Sequence, residues 1–496
     1  MAERLRVAFA ASEVSPWAST GGLGEVAAAL PGALAEAGCD IATFLPCYRS
    51  LRAKVYERGA RLVDTGIGTR VPVGAHWLEG RLLRIDGAPG SASAPPVYAL
   101  DFPHLFDREG IYGHSDDAAR FATFCRGVLD CAPRALGGPL DIVHAHDWHA
   151  ALLPVYLRGP YGHLQPHTAS VLTIHNMGYP GAFAASELHV AGLGAEWLHF
   201  ERMEFHGHVS FLKGGIVCAD VVTTVSPRYA AEIQTPEFGE HLDGLLRANS
   251  AKLIGILNGV DGSVWNPATD PHIAARYDTA DLGGRAACRR QLLEFARMDP
   301  DDPHPIFGIV SRIVHQKGLD LVAELVPWLA ARGVRVLLLG TGERALQEWF
   351  QERERQFPHH MRVQLEHSPR LAHILNAGAD AVLVPSRYEP CGLAQMYAMR
   401  YGAVPIVRDV GGLHDTVVHA MPETLAAGTA TGFRFRHGDA GGLAWACNEA
   451  LKMFYTRPAD WAQVQRNGMT RDFSWDTSAA RYVATYKHAI ARRRRN

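Results

Sequence analysis

The stretch that decides the fold is Ile142-Val-His-Ala-His-Asp-Trp-His149, a short apolar run that leads into polar residues and then into a helical pattern. The same order recurs along the chain: short β-rich runs end in loops rich in Gly, His, Asp or Ser, and helical patterns follow. This alternation predicts parallel strands joined by helices, an α/β fold, rather than a sandwich or a helical bundle. Because parallel sheets bind ligands at the carboxyl ends of their strands, we expect the chemistry in these loops.

The alternation occurs twice, and the 496 residues are too many for one small module. We predict two sheets with a cleft between the two halves. The strands predicted for the first half are residues 6–10, 40–45, 142–144, 170–174 and 221–225. Those predicted for the second half are residues 306–310, 334–339, 362–365, 381–384 and 404–407. Turn residues around 251–269 separate the halves, which predicts a first domain over 1–252, a second over 253–473 and a terminal helix over 474–496.

The composition excludes several classes of partner. Lys and Arg (49) nearly balance Asp and Glu (51), so the net charge of −2 provides no global field for a nucleic acid or an anionic membrane. No apolar stretch approaches the roughly 20 residues of a membrane span, and the apolar run at 7–11 is too short for a signal peptide. The eight cysteines form no C-x-x-C pair, which predicts reduced thiols and a cytoplasmic protein.

Two motifs of the first half leave alternatives open. Thr20-Gly-Gly-Leu-Gly-Glu25 opens a helix after the first strand, where bare backbone N–H groups favour an anion, although a tight turn explains it equally well. The three histidines of His144-Ala-His-Asp-Trp-His149 suit a metal ion, but no second cluster of matching spacing follows, so we favour a hydrogen-bonded wall without metal. His175 also ends a strand, either as a functional or as a structural histidine.

The second half offers charged candidates at its strand ends. Arg312 and Lys317 follow the first strand on one loop, and two such cations can neutralise the two phosphates of a diphosphate. Glu389 follows a later strand, and a carboxylate there accepts hydrogen bonds from sugar hydroxyls, although it could instead cap a helix. Gly411-Gly-Leu413 adds another helix start on the same side.

These motifs together resemble those of bacterial glycogen synthases and plant starch synthases, which transfer glucose from ADP-glucose to the 4-hydroxyl of an α-1,4-glucan. The resemblance runs nearly end to end. The motifs that carry it, in the family's order and spacing, are Thr20-Gly-Gly-Leu23, His144-Ala-His-Asp-Trp-His149, His175-Asn176, Phe211-Leu-Lys-Gly-Gly215, Thr224-Val-Ser-Pro227, Ile233-Gln-Thr-Pro-Glu-Phe-Gly239, Leu257-Asn-Gly-Val-Asp261, Ser311-Arg312, Gln316-Lys-Gly318, Pro385-Ser-Arg387 and Glu389-Pro-Cys-Gly-Leu393.

The resemblance implies a glycosyltransferase-B fold, in which two Rossmann-like domains face each other across a cleft. It implies a retaining glucosyltransferase that needs neither a metal nor a cofactor. Arg312 and Lys317 would hold the diphosphate, His175 would contact the transferred glucose, and Glu389 would bind sugar hydroxyls. The implied substrate-binding set is wider, with Asp147 on the acceptor side and Asn258 at the cleft: Ser19, Gly21, Gly22, Asp147, Asn258, His367, Cys391, Gly392 and Leu393.

Four residues depart from the family pattern, all in or beside the expected donor site. Ser19 stands where the family has Lys, Pro180 where it has Gln, and Ala394 where it has Thr or Ser. His367 stands where a Tyr is expected to stack on adenine. Two hypotheses follow. The favoured one is an active α-glucan synthase; the other is a weakened glucan-binding or regulatory homologue, or a transferase with a different nucleotide-sugar donor.

Overall fold

The computed structural model describes residues 4–87 and 94–495, which form two compact units. Residues up to Gly259 and those from Trp475 onward make the first unit, and Val260–Ser474 make the second. The strands of the first unit are β1 (Arg6–Ala10), β2 (Asp40–Pro46), β3 (Arg61–Val73), β4 (His76–Asp86), β5 (Val97–Asp101), β6 (Ile142–His146), β7 (Ala169–Ile174), β8 (Ala182–Ala184), β9 (Glu204–Phe205), β10 (His208–Ser210), β11 (Val221–Thr224) and β12 (Leu253–Gly255). Those of the second unit are β13 (Ile306–Val310), β14 (Arg335–Leu339), β15 (Met361–Gln364), β16 (Ala381–Val384), β17 (Val404–Arg408) and β18 (Phe433–Phe435).

Helices follow most of these strands, as the alternation predicts. In chain order they are α1 (Gly22–Glu36), α2 (Arg49–Glu57), α3 (Pro103–Phe106), α4 (Asp117–Ala135), α5 (Asp147–Ala150), α6 (Leu152–Arg158), α7 (Glu187–Val190), α8 (Phe211–Cys218), α9 (Pro227–Glu232), α10 (Asp243–Ala248), α11 (Gly284–Phe295), α12 (Leu319–Ala330), α13 (Arg344–Gln356), α14 (Pro369–Gly378), α15 (Ala394–Arg400), α16 (Gly411–Thr416), α17 (Pro422–Ala426), α18 (Ala440–Thr456), α19 (Pro458–Met469) and α20 (Trp475–Arg493).

The first unit is built on a nine-stranded sheet in the order β12-β11-β7-β6-β1-β2-β5-β4-β3. The strands from β12 to β5 are parallel, and β4 and β3 extend the sheet as an antiparallel hairpin. All residues of β6 and β7 are buried, because helices cover both faces of a parallel sheet. A smaller antiparallel sheet has the order β8-β10-β9.

The second unit has six parallel strands in the order β15-β14-β13-β16-β17-β18. Its core is formed by the apolar inner faces of α12, α13 and α18 against the sheet. The α/β class predicted from the alternation is confirmed, and every predicted strand is present with ends shifted by at most a few residues. The hairpin of β3 and β4 was not predicted, because its residues alternate between partly buried and exposed positions at the edge of the sheet.

The first unit continues beyond residue 252, where the sequence predicts its boundary. β12 pairs in parallel with β11, so residues 253–255 belong to the first sheet, and the first unit extends to Gly259. At the other end of the chain, α20 packs on the first unit, and its Tyr482 and Tyr486 are fully buried there. The Ser478 hydroxyl donates to the Leu257 carbonyl oxygen at 2.6 Å, which fixes the helix beside the end of β12.

Candidate active site

In each of the two large sheets the strand order reverses at one point, and several of the candidate residues lie near that point. In the first unit β1 lies between β2 and β6, so the loops after β1 and β6 leave toward opposite faces of the sheet. In the second unit the loops after β13 and β16 do the same. Such switch points open a crevice at the carboxyl ends of the strands, and ligands of α/β proteins bind there. The glycine loop and Asp147 lie at the first switch point, and Lys317 and Glu389 at the second.

His175 is held from two sides by the last residue of β6 and the residue after it. Its backbone N–H donates to Oδ1 of Asp147 at 2.6 Å, and its ring Nε2 lies 2.9 Å from Nδ1 of His146. Asp147 has a positive φ of 56°, a backbone conformation that Asp tolerates better than most residues. The structure therefore brings together the predicted residues His175 and Asp147 and adds His146 as their neighbour.

Burial sets the protonation of this cluster. It lowers the pKa of His175 to about 3 and the pKa of His146 well below its usual range, so both imidazoles are neutral. Burial also raises the pKa of Asp147 to about 7, although the backbone N–H groups of His175 and Asn176 act in the opposite direction. The first unit thus presents neutral imidazoles and a carboxyl that titrates near neutral pH.

The histidines of the β6 motif have protein partners. His144 Nδ1 lies 2.8 Å from the hydroxyl of Tyr486 on α20, and its Nε2 lies 2.6 Å from the hydroxyl of Thr173 on β7. The ring of His146 packs between Phe9 and His144, with centroids 4.0 and 4.1 Å away. Within residues 4–87 and 94–495, no group of three or more His, Cys, Asp or Glu side chains could hold a metal ion. This geometry favours the hydrogen-bonded wall over the metal interpretation.

The glycine loop after β1 is organised by a buried carboxylate that sequence reasoning missed. Oε2 of Glu13 accepts from the backbone N–H groups of Thr20 and Gly21 at 2.5 and 3.2 Å. Its Oε1 accepts from the hydroxyls of Thr20 and Tyr112. Two of the N–H groups expected to be bare are therefore already bonded, which favours the tight turn for this part of the loop. Only the spacing of Glu13 before Thr20 could have signalled it.

Ser19 and Asn258 occupy different corners of the first unit. The Ser19 hydroxyl donates to the Gly21 carbonyl oxygen at 3.3 Å, and a Cβ on Gly24 would lie 2.5 Å from it, so glycine at 24 leaves room for this side chain. Asn258 follows β12 and is buried, and its Oδ1 has no hydrogen-bond partner among the residues that the structure describes. An unpaired buried amide oxygen is uncommon in folded proteins, which distinguishes this position.

The second unit joins two of the predicted residues directly. Nζ of Lys317, on the loop after β13, lies 2.6 Å from Oε2 of Glu389, on the loop after β16. The same oxygen accepts from the hydroxyl of Ser386 at 2.8 Å. Glu389 is buried and Lys317 is mostly so, and a buried ion pair needs additional hydrogen bonds of this kind to offset desolvation. The Glu389 side chain is thus paired with a cation rather than capping a helix.

A second ion pair joins the loop after β16 to the first turn of α12, the helix that follows Lys317. Both guanidinium nitrogens of Arg387 donate to the carboxylate of Asp320, at 2.7 and 2.6 Å, and a two-point contact of this type fixes both geometry and charge. The side chain of Arg312 is exposed, and its NH2 lies 3.5 Å from Oε1 of Gln316. Arg312 therefore reaches solvent at the strand end, whereas Lys317 is held against Glu389.

The loop after Glu389 needs a glycine. Gly392 has a φ of +74°, which L residues with side chains rarely adopt, and a Cβ there would lie 2.5 Å from Oε1 of Gln395. Nε2 of Gln395 donates to the carbonyl oxygens of Cys391 and Gly392 at 3.1 and 3.0 Å. Gln395 thereby fixes the backbone of the predicted residues, while Leu393 lies at the start of α15 and Cys391 is buried.

His367 and Ala394 lie at the same edge of the second sheet. His367 is exposed on the loop after β15, two strands from β13, and Ala394 is the first residue of α15. His367 therefore follows the carboxyl end of its strand, as Lys317 and Glu389 do. The structure gives no side-chain contact that assigns either residue a role.

Comparison with known proteins agrees with this arrangement of two α/β units. The Starch synthase catalytic domain family matches residues 6–248, and the Glycosyl transferases group 1 family matches residues 293–466. The chain is 41% identical to a glycogen synthase of Syntrophotalea carbinolica, covering 98% of this chain and 99% of that one. It is 43% identical to a glycogen synthase of Anaeromyxobacter dehalogenans, covering 97% and 99%.

A solved structure is also similar over the whole chain. The catalytic domain of Starch Synthase IV from Arabidopsis thaliana, bound to ADP and acarbose, has a TM-score of 0.90 and 33% identity, covering 99% of this chain and 100% of that one. The fold and the strand-end sites define a glycosyltransferase of the GT-B class, as the resemblance implied. The chain belongs to the glycogen synthase and starch synthase family.

Proposed function

We propose that this enzyme transfers glucose from ADP-glucose to the non-reducing 4-hydroxyl of an α-1,4-glucan with retention of configuration. The observation that carries the proposal is the similarity of about 40% over the full length to glycogen synthases, joined to a Lys317–Glu389 pair at a sheet switch point. Its partners are accordingly a nucleotide sugar and a glucan. Among the described residues no helix is long and apolar enough to cross a membrane.

The second unit is proposed to hold the nucleotide sugar. Glucose leaves a diphosphate through a transition state with positive charge at the anomeric carbon and growing negative charge on the leaving group, and fixed cations lower the energy of that group. Arg312 and Lys317 are the cations in our proposal, and Glu389 accepts hydrogen bonds from sugar hydroxyls. The loop Cys391, Gly392 and Leu393 and the exposed His367 complete this set.

The first unit is proposed to serve the acceptor and the transferred glucose. His175 contacts the glucose in this proposal, with Asp147 on the acceptor side. Neutral imidazoles and a carboxyl can both form hydrogen bonds with sugar hydroxyls. Gly21, Gly22, Ser19 and Asn258 are the remaining proposed substrate-binding residues. Glu13 already accepts from the backbone N–H groups of Thr20 and Gly21.

We also propose a cytoplasmic location and a reaction without a metal or cofactor. The location is supported by the eight cysteines, which are all buried and form no disulfide in the part of the chain that the structure describes, as expected of a protein from a reducing compartment. The metal-independent mechanism is supported by the cations at positions 312 and 317, which can supply charge at the leaving group.

A second candidate function rests on the four departures from the family pattern. Ser19, Pro180, His367 and Ala394 each replace a group expected at the donor site, and a charged group that loses its partner costs about 1–3 kcal/mol. The combined loss of binding free energy at these four positions would be consistent with a weakened glucan-binding homologue, or with an enzyme that uses a different nucleotide-sugar donor. Retention of His175, Arg312, Lys317 and Glu389 favours active synthesis.

A transfer assay separates these candidates. Radiolabelled ADP-, UDP- and GDP-glucose are each incubated with the enzyme and a glycogen primer, and label in the precipitated glucan is counted. We expect label from ADP-glucose well above the other two donors. If only UDP-glucose or GDP-glucose gave labelled glucan, that nucleotide sugar would be the donor instead of ADP-glucose. Glucan binding without transfer from any donor would leave the weakened homologue.

A further inference from the structure

His146 is buried at the end of β6, and its only side-chain hydrogen bond in the described part of the chain joins it to His175. Its Nδ1 lies 2.9 Å from Nε2 of His175. Its Nε2 is buried without a partner among the described residues. Phe9 and His144 pack against the ring at centroid distances of 4.0 and 4.1 Å, so the ring cannot turn to another partner without displacing them.

The hydrogen bond between the two rings requires that one ring carries its proton on the shared side and the other does not. Burial disfavours the charged form of both rings, and each neutral imidazole carries one N–H. One ring must therefore donate and the other accept. If His175 donated from Nε2, the single proton of His146 would lie on its buried Nε2 with no acceptor. If His146 donates from Nδ1, the buried Nε2 is a bare acceptor, and buried N–H groups without partners are the rarer exception in folded proteins.

We infer that His146 is a positioning residue, which donates from Nδ1 to Nε2 of His175 and so holds His175 in the tautomer that carries its proton on Nδ1. That Nδ1 makes no hydrogen bond to the described residues, and the side chain is partly open to solvent. His175 therefore offers an N–H donor outward. Asp147 fixes the backbone of His175 at 2.6 Å, so two consecutive residues of the β6 end set both its position and its proton.

The consequence for the reaction rests on the proposed function. A ring N–H of fixed direction donates to a hydroxyl oxygen of the transferred glucose, and a rigidly placed donor is worth more in the transition state than one that must reorganise. Free imidazole has no such fixed tautomer. Loss of the His146 donor would thus reduce kcat more than it raises KM for the nucleotide sugar.

The tautomer is measured without any substrate. Nitrogen-15 NMR of the histidine-labelled protein reports which ring nitrogen carries the proton, and the His175 signals are identified by their loss in His175→Gln. We expect the Nδ1–H tautomer across about pH 6 to 8. The Nε2–H tautomer of His175 in the parent protein would overturn the inference even if neither His146 variant folded, and the outcome does not depend on which donor the enzyme uses.

Two variants of matched shape test the hydrogen bond. His146→Asn keeps an amide that can bond to the His175 ring, whereas His146→Leu has the same branching and no polar atom. We expect Leu to shift His175 away from the Nδ1–H tautomer and to lower kcat about 10- to 100-fold, as supporting hydrogen-bond partners typically do, and Asn to recover most of that loss. Equal losses in both variants, with an unchanged His175 signal, would mean that His146 is only structural.

Discussion

Each unit has a cluster of polar side chains at the carboxyl ends of its parallel strands: His146, Asp147 and His175 in the first cluster, and Lys317 and Glu389 in the second. The two clusters occupy equivalent places in their sheets but differ in their chemistry. In the first unit the ends of β6 and β7 carry the neutral imidazoles of His146 and His175 and the carboxyl of Asp147, whose pKa lies near 7. In the second unit the loops after β13 and β16 carry the ion pairs Lys317–Glu389 and Arg387–Asp320. Both lie where the strand order reverses.

The difference shows that the order of the strands determines where a site forms, whereas the side chains determine the charge of that site. Fixed cations serve a leaving diphosphate, whose charge grows during the reaction. Tightly held imidazole and carboxyl groups suit sugar hydroxyls, which carry no net charge and both donate and accept hydrogen bonds. The chain as a whole is nearly neutral, at −2, so the positive charge that the proposed donor needs is local.

The largest expected effect comes from removing the central cation of the second cluster. Lys317→Ala leaves Glu389 without its ionic partner and the proposed diphosphate without a fixed charge. We expect kcat/KM for ADP-glucose to fall about 10²- to 10³-fold, as when one transition-state donor is removed. Lys452→Ala, at an exposed position of the same unit, is the control. A loss under about threefold would remove Lys317 from the site.

A smaller effect is expected from removing the Glu13 carboxylate, which organises the glycine loop of the first unit. Glu13→Ala deprives the N–H groups of Thr20 and Gly21 of their acceptor. We expect the free energy of unfolding of the first unit to fall by about 1.5–3 kcal/mol, measured as a lower Tm. Glu57→Ala, exposed on α2, should leave the Tm unchanged. An equal Tm for both variants would show that the glycine loop does not depend on Glu13.

The pH dependence of stability tests the protonation of Asp147. The folded protein keeps this proton up to about pH 7, whereas the unfolded chain releases it near about pH 4. The stabilisation is therefore complete below about pH 4 and is lost as the pH rises to about 7. Because Asp147 is partly exposed, we expect a loss of about 1–2 kcal/mol.

Asp147→Asn measures that loss directly, because the amide oxygen can still accept from the His175 N–H and does not ionise. We expect the Tm of the parent to fall relative to the variant between about pH 4.5 and 7.5. Parallel Tm curves over this range would mean that Asp147 titrates at its ordinary value and that burial does not control the first cluster.

The smallest effect concerns the cation that the first cluster lacks. Ser19→Lys restores the residue that the family pattern has there, at a partly exposed position where one ion pair is worth up to about 1 kcal/mol. We expect ADP to bind about fivefold more tightly by calorimetry, and Ser19→Met, of similar length without charge, to bind as the parent does. Equal affinity in all three proteins would make position 19 irrelevant to the donor.

Much of this fold was predictable because the sequence pattern of each central strand lies within a few consecutive residues. Apolar runs followed by polar loops marked the central strands, and the loops after them contained Lys317, Glu389, Asp147 and His175. The edge hairpin of β3 and β4 lacked that signal, since its side chains alternate at a solvent-facing edge. β12 was missed because three residues beside a turn-rich segment carry too little pattern.

The partners inside the site were less predictable, because they depend on long-range contacts. Glu13 and Tyr112 are distant in sequence, and only folding brings the Tyr hydroxyl to the carboxylate at 2.7 Å. His146 lay inside a recognised motif, yet its pairing with His175 across β6 and β7 needs the strand register. The sequence therefore indicated the loops in which we place the chemistry, and the structure showed which side chains hold these loops in place.

The central claim is that the enzyme extends an α-1,4-glucan from ADP-glucose with retention. The most direct test uses ADP-glucose labelled with carbon-13 at the anomeric carbon and a short maltooligosaccharide as acceptor, with the product observed by NMR. We predict a labelled α-anomeric signal from a new 1,4-linkage at the non-reducing end. A labelled β-linkage, or labelled free glucose with no elongated product, would contradict the account.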